Sequence, residues 1–506
     1  MVDFFKRMKI KNIKFAAAIL GATLSLTACE KDYLEAVPSN AVSYDQAYST
    51  KSGIEAAMTG IIRLMRQAPV NQGGVSHDSY GVPSLMMTFD VMGQDVMANN
   101  SWFIYQYELD NKLATYRGTR IIWGHSYNLI TNANNIIANA KNLPDASSVE
   151  KDGFEAEAKV VRAFAYFNLA RVYQHTYLKD KNALAVPLML DPATPQTEGK
   201  ERATLEQVYT QILADLTDAE QKLGTSRPSK SRINKNVAQG LLARVYLEMG
   251  QWNKAAEFAA KARQGYPLMS ATTYKAGFNN YSNGEWIWGL PQSADQNNAY
   301  ASFYSFIDGR YTVNATGSRT YTRRGYNNLR ANDQFVALFD EADARREFQE
   351  DAKAFTTNNE GVKVWNSDRY TITKFKDLVD LGGHIVLMRS AEMLLIEAEA
   401  KAQLGDFLGA QELLLELRRS RYTDPALVLP SLNVGGALLE EIYVERRKEL
   451  YGEGFALFDI KRLQKPLVRE GNHTAKVGTT PANSDLFIHQ IPQAEMDANP
   501  KMVQNP

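Results

Sequence analysis

Ala238-Gln-Gly-Leu-Leu-Ala-Arg-Val-Tyr-Leu-Glu-Met-Gly250-Gln-Trp-Asn-Lys-Ala-Ala256 reads as two short helices folded back on each other at a glycine. Val237, Leu241, Leu242, Val245 and Leu247 recur at helical spacing, so the pattern predicts a helix over 236–250 with one apolar face. Gly250 stops it, because glycine adopts the left-handed backbone that a tight helix end requires. A second helix is predicted over 252–263, and small residues let the two antiparallel helices approach. The scheme repeats downstream. Ala391, Leu394, Leu395, Ala398 and Ala402 lead to Gly405, and Ala410, Leu414 and Leu417 follow it. Over 154–173, Ala158, Val161, Phe164, Ala165, Leu169 and Val172 give another helix of the same kind.

Each hairpin resembles a tetratricopeptide unit. The two clearest copies lie about 150 residues apart, whereas a continuous solenoid places one roughly every 34 residues. The intervening 270–383 is rich in Tyr, Asn, Gly and Thr, with strand-like pieces at 285–288 and 369–373. The expected fold is therefore all-α: tetratricopeptide-like hairpins with a loop-rich insertion containing short strands. Function is expected on the insertion, because rigid scaffolds present functional loops.

Composition narrows the function classes. The chain has 506 residues, with 57 Lys+Arg against 57 Asp+Glu, and no basic run to track nucleic acid. Its one cysteine excludes a disulfide framework and a Cys-rich zinc module. The six histidines show no HxH, HxxxH or HExxH spacing, so no metal centre is expected. Asp-rich calcium-loop signatures are absent from the sequence, and no cofactor is expected. Neither a Gly-x-Ser-x-Gly elbow nor a Walker loop occurs, and no enzyme activity is expected.

The N-terminus has a distinct character. Lys6, Arg7, Lys9, Lys11 and Lys14 precede an apolar run over 15–26, which is too short to span a bilayer. Met8 serves as well as Met1 as a starting residue for such a leader. Leu26-Thr27-Ala28-Cys29 looks like a lipobox, with cleavage expected after Ala28 and lipidation at Cys29. Loss of residues 1–28 leaves 52 basic and 56 acidic residues, a net charge of −4. Acyl chains on Cys29 would tether the rest to a membrane surface, each buried methylene contributing about 0.8 kcal/mol.

Four further segments carry a resemblance to a known family. They are Arg162-Ala-Phe-Ala-Tyr-Phe-Asn-Leu-Ala-Arg171; Leu387-Met-Arg-Ser-Ala-Glu-Met-Leu-Leu-Ile-Glu-Ala-Glu-Ala400; the run Glu441-Ile-Tyr-Val-Glu-Arg-Arg-Lys-Glu-Leu450-Tyr-Gly-Glu-Gly454 with Phe458-Asp-Ile-Lys-Arg462; and Ile488-His-Gln-Ile-Pro492 with Gln504-Asn-Pro506. In this order, behind a lipobox, they resemble the SusD/RagB nutrient-uptake lipoproteins of the Bacteroidetes outer membrane. One departure is Gly454-Phe455-Ala456, which lacks the Arg or His often following that glycine. It is expected to affect local packing only.

The resemblance implies a SusD-type scaffold and a binding protein rather than an enzyme. It implies a lipid-anchored outer-membrane location facing the cell exterior, capture of oligosaccharide, and delivery to a SusC-like TonB-dependent transporter. Two alternatives stay open: a peptide- or glycopeptide-binding RagB-like subunit, and a scaffold lipoprotein without a small ligand. The domain reading is a signal peptide at 1–28, a tether at 29–40 and one SusD-like domain at 41–506.

Sugar binding calls for flat aromatic faces beside Asn, Asp, Gln or Arg. Gln94-Asp-Val-Met-Ala-Asn99-Asn100-Ser-Trp102-Phe-Ile-Tyr105 has that mixture, and in the family the matching region contributes an Asn and a Trp to the glycan site. Asp295-Gln-Asn-Asn-Ala-Tyr300-Ala-Ser-Phe-Tyr304 has it as well. Candidate ligand contacts are therefore Asn99, Asn100, Trp102, Tyr300 and Tyr304. Trp286 and Trp288 are read as core. The acid-rich run 441–453 could be mistaken for general acid–base machinery, but its helical spacing favours salt bridges within and between helices.

Overall fold

The computed structural model describes residues 47–66, 77–99, 102–110, 112–292, 301–315, 318–322, 325–377 and 382–506. Its N-terminal half holds α1 (Lys51–Leu64), α2 (Val82–Val91), α3 (Ile104–Tyr107), α4 (Arg117–Ala140), α5 (Ser148–Tyr173), α6 (Leu205–Lys222), α7 (Lys235–Glu248) and α8 (Trp252–Ala262). Short α9 (Ala271–Lys275), α10 (Phe303–Ile307) and α11 (Asp333–Val336) follow, and then α12 (Ser390–Gln403), α13 (Phe407–Arg421), α14 (Gly435–Leu450), α15 (Ala456–Arg462) and α16 (Gln493–Ala498). The chain is mostly helical, as expected.

Both glycine turns are built alike. Gly250 has φ +68° and Gly405 φ +83°. The following amide reaches back over the helix end in each case, Gln251 N–H to the Tyr246 carbonyl and Asp406 N–H to the Lys401 carbonyl, both at 2.9 Å. That bond closes a Schellman cap, which a side chain at the left-handed position would strain. Ser147 and Glu150 form a capping box that starts α5 six residues earlier than the apolar spacing predicts.

The two hairpins, distant in sequence, are neighbours in space. α4 packs on α5, α5 on α6, α6 on α7 and α7 on α8; α8 then packs directly on α12, which is followed by α13 and α14. The helical stack thus runs straight past the residues between α8 and α12. Those residues carry β2 (Trp286–Leu290), β3 (Tyr311–Val313), β4 (Arg319–Tyr321), β5 (Leu329–Ala331), β6 (Phe348–Glu350), β7 (Phe355–Thr357), β8 (Lys363–Trp365) and β9 (Tyr370–Ile372). β2 pairs antiparallel with β10 (Ile385–Arg389), the strand that leads into α12, which stitches the segment to the stack. β1 (Val96–Ala98) joins β5, β9 and β6 in a four-stranded sheet of order β1-β5-β9-β6, while β11 (Leu467–Arg469) pairs with β12 (Gly478–Thr480).

The quoted segments are structural. Arg162 grips Asp215 through two bonds of 2.8 and 2.7 Å and also donates to Asn134. Asn505, 5% exposed, donates to the carbonyls of Tyr173 at 2.6 Å and His489 at 2.8 Å and accepts from Arg202 at 2.5 Å. This seals the C-terminal segment against α5. An Asn505→Ala substitution leaves buried carbonyls and a guanidinium short of partners, so we expect a loss of about 3 kcal/mol in urea unfolding followed by circular dichroism.

Candidate functional site: an aromatic surface beside an amide–carboxylate cluster

Trp102 lies at a turn that sorts its side chains by periodicity. Phe103, Gln106 and Tyr107 point inward and are buried, leaving Trp102 (36% exposed) and Tyr105 (59%) on the outside. Leu113 and Tyr116, a little further along the chain, are exposed as well. Such a run of exposed aromatics is costly to leave in water, and it marks a binding surface more often than it marks idle surface.

The Trp102 ring is held from below. His77 stacks on it with centroids 5.1 Å apart and planes inclined by 19°. The Arg117 guanidinium stands 5.4 Å from its centroid while donating to Asp78 at 2.8 Å. His77 Nδ1 lies 2.5 Å from the Tyr326 hydroxyl. Tyr326 stacks on Phe306 at 4.8 Å, and Phe306 stacks on Tyr80 at 6.0 Å. A column of rings thus runs from the surface into the core, so Trp102 stands on a rigid base.

Asn99 follows β1, three residues before Trp102 in the chain. Its N–H donates to the Asn328 carbonyl at 3.0 Å, carrying the β1–β5 ladder one residue further. Its side-chain amide donates to Asp368 Oδ1 at 2.7 Å, and Arg330 Nε donates to the same oxygen at 3.1 Å. Asp368 is 40% exposed and Arg330 only 4%, so a buried guanidinium orients a carboxylate that faces solvent. The side-chain amide oxygen of Asn328 is also buried and has no partner among the described residues. Aromatic faces next to fixed amide and carboxylate groups offer C–H stacking surface together with acceptors and donors for hydroxyls.

Of the expected residues, Asn99 and Trp102 flank this surface. Asn100, Tyr300 and the expected lipid-bearing Cys29 lie outside the described residues. Tyr304 is a correction. It is 0% exposed, and its hydroxyl donates to the carbonyls of Phe278 at 2.5 Å and His384 at 2.9 Å, which makes it core. Trp286 and Trp288 are core as expected, with Trp288 Nε1 donating to the Ser231 carbonyl. His77, Arg117, Tyr326, Arg330 and Asp368 were not singled out. They come from separate segments, and only the density of aromatics over 102–116 hinted at the surface.

The acid-rich run is sealed. Glu449 meets Arg389 at 2.5 Å, Arg421 at 2.8 Å and Arg345 at 3.2 Å, all with side chains 0% exposed. Glu285 and Glu453 complete the cluster on Arg389, and Lys374 meets Glu453 at 2.7 Å. Burial alone would raise the Glu449 carboxyl, but the Arg421, Arg389 and Arg345 guanidiniums hold it well below the usual range. Burial lowers Lys374 to about 8 despite Glu453. These bonds tie α14 to α13 and β10 rather than run along α14 itself. Phe455, where the resemblance leads one to expect a cation, sits between the guanidiniums of Arg244 and Arg446 at 5.3 and 5.1 Å. Among the described residues no cluster of His, Cys, Asp and Glu could hold a metal ion.

Comparison with known proteins places the chain. A family described as "Starch-binding associating with outer membrane" matches residues 32–247, and one described as "SusD family" matches 380–506. A SusD-like protein of Formosa agariphila is 26% identical, over 98% of this chain and 99% of its own. Among solved structures, a SusD-like carbohydrate binding protein from Bacteroides vulgatus superposes with a TM-score of 0.77 at 27% identity, covering 90% of this chain and 98% of its own. A SusD superfamily protein from Bacteroides thetaiotaomicron gives 0.75 at 26% identity, covering 90% and 100%.

Proposed function

The chain belongs to the SusD/RagB family, and from that premise we propose that it captures oligosaccharides at the Trp102 surface and hands them to a SusC-like TonB-dependent transporter. The family is associated with the outer membrane, and no helix among the described residues is long and apolar enough to cross one. Attachment would come from lipid on Cys29 after removal of residues 1–28, with 29–40 as tether to the domain at 41–506.

The observation that carries the reading is the exposed Trp102 ring, backed by His77, with Asn99 three residues earlier in the chain fixed on Asp368 beside Arg330. Pyranose rings would lie against the aromatic patch, and Asn99 and Asp368 would meet their hydroxyls. The chain would act by binding alone, with energy for import supplied by the transporter.

A glycan array with matched peptide pools, run on the full chain, tests this. We expect binding to one class of glycan. Trp102→Ala should weaken it about 10- to 100-fold, the range of an aromatic hot spot, with an unchanged melting temperature. Binding to peptides alone would move the protein to a RagB-like role, and silence in both sets would favour a scaffold.

A further inference from the structure

A second cleft shares no lining residue with the Trp102 surface. It has a volume of 390 Å³, within the range of about 300–1,000 Å³ typical of small-molecule sites. Its floor is one stripe of α4, where Tyr127, Asn128 and Thr131 lie beside Trp123. One wall is the strap 187–200, and the other is Glu495 and Asn499 of the C-terminal segment.

The carbonyls of the inner strap are already used. Every carbonyl from Pro187 to Asp191 accepts a side-chain donor: Pro187 from Tyr127, Leu188 from Lys200, Met189 from Tyr166 and Asn134, Leu190 from Arg162, and Asp191 from Asn134. The Met189 N–H donates to the Tyr166 hydroxyl at 2.7 Å. An extended peptide pairs with a run of free main-chain donors and acceptors, and the inner strap has all its acceptors taken. Recognition here falls to side chains.

Those side chains are ring surfaces, the amides of Asn128, Asn134 and Asn499, hydroxyls and carboxylates. Asp191, Glu198 and Glu495 outnumber Lys200, and Glu198 is answered by Lys501 at 3.2 Å. A polyanion is disfavoured by that balance, whereas carboxylates and amides suit vicinal hydroxyls beside an aromatic ring. We propose that this cleft is a second, independent site for a short neutral oligosaccharide.

Titration calorimetry on the full chain, with neutral gluco-, manno- and xylo-oligosaccharides of two to six sugars, decides the matter. In Trp102→Ala we expect a residual one-site isotherm for at least one of these sugars. Adding Asn128→Trp, which fills the cleft, should weaken it at least tenfold, and Thr131→Trp should do the same if the first variant melts early. Asn128→Trp alone should leave binding at the Trp102 surface unchanged. Loss of every isotherm in Trp102→Ala, residual binding indifferent to both filling variants, or silence of the native chain to all these sugars would overturn the proposal. Binding abolished by the filling variants but untouched by Trp102→Ala would uphold the cleft and refute the Trp102 surface instead.

Discussion

Glu449→Ala is expected to cost about 5 kcal/mol or to prevent folding altogether. Removing one partner of a single buried ion pair costs about 3–5 kcal/mol, because the other charge is left without compensation. Glu449 answers three guanidiniums at once, on α13, on β10 and at Arg345, all of them buried. Arg389 would keep Glu285 and Glu453, and Arg345 would keep Asp343, but Arg421 would keep Glu285 alone. Glu441→Ala on the same helix is the contrast. It touches Arg418 near the surface, where Glu445 also serves that arginine, and about 1 kcal/mol is expected. Urea unfolding of both variants separates the cases. Equal, small losses would contradict the view that this run holds the scaffold together.

The second large effect is in acid. His125 and His489 are buried, and neither ring nitrogen of either has a partner among the described residues. Burial lowers His125 to about 4; burial, with Lys461 and Lys112 nearby, lowers His489 to about 3. In the unfolded chain both titrate near 6.5. Below that pH the unfolded state takes up protons that the folded state refuses, so their contribution is complete above about 6.5 and is lost as pH falls towards 4. At pH 5 each removes about 2 kcal/mol, from about 1.4 kcal/mol per pH unit. Asp90 works the other way. Burial raises it to about 7 although Gly454 and Ala456 donate to it, so its penalty shrinks as pH falls. The isolating measurement is therefore a difference. In the His125→Leu/His489→Leu double variant, the loss of stability between pH 7.5 and 5 should be about 4 kcal/mol smaller than in the native chain. An unchanged pH dependence would show that these histidines are charged or hydrated when folded.

Much of the scaffold was legible because local signals agree. Apolar spacing named α7, α8, α12 and α13, and Gly250 and Gly405 marked both turns to the residue. The strand-like pieces fell where β2 and β9 form. Local signals could not show that α8 would pack on α12, since that contact depends on the loop-rich segment being carried to one side. Nor could spacing along α14 name the partners of Glu449, which arrive from Arg345, Arg389 and Arg421.

The candidate site was half legible for the same reason. Asn99 and Trp102 stood out by residue type within one short stretch. Arg330 reaches Asn99 through the pairing of β1 with β5, while His77 and Tyr326 arrive from separate segments of the chain. Tyr304 shows the limit of composition. An aromatic among Asn and Ser residues looks like a sugar contact, yet two carbonyls claim its hydroxyl and the core covers its ring.

Glycan capture at the Trp102 surface is tested most directly by a structure of the full chain with an oligosaccharide that it binds. The expected result is a sugar ring lying against Trp102, with its hydroxyls within hydrogen-bond reach of Asn99 or Asp368. A bound sugar that leaves Trp102 untouched, with full affinity retained in Trp102→Ala, would contradict it.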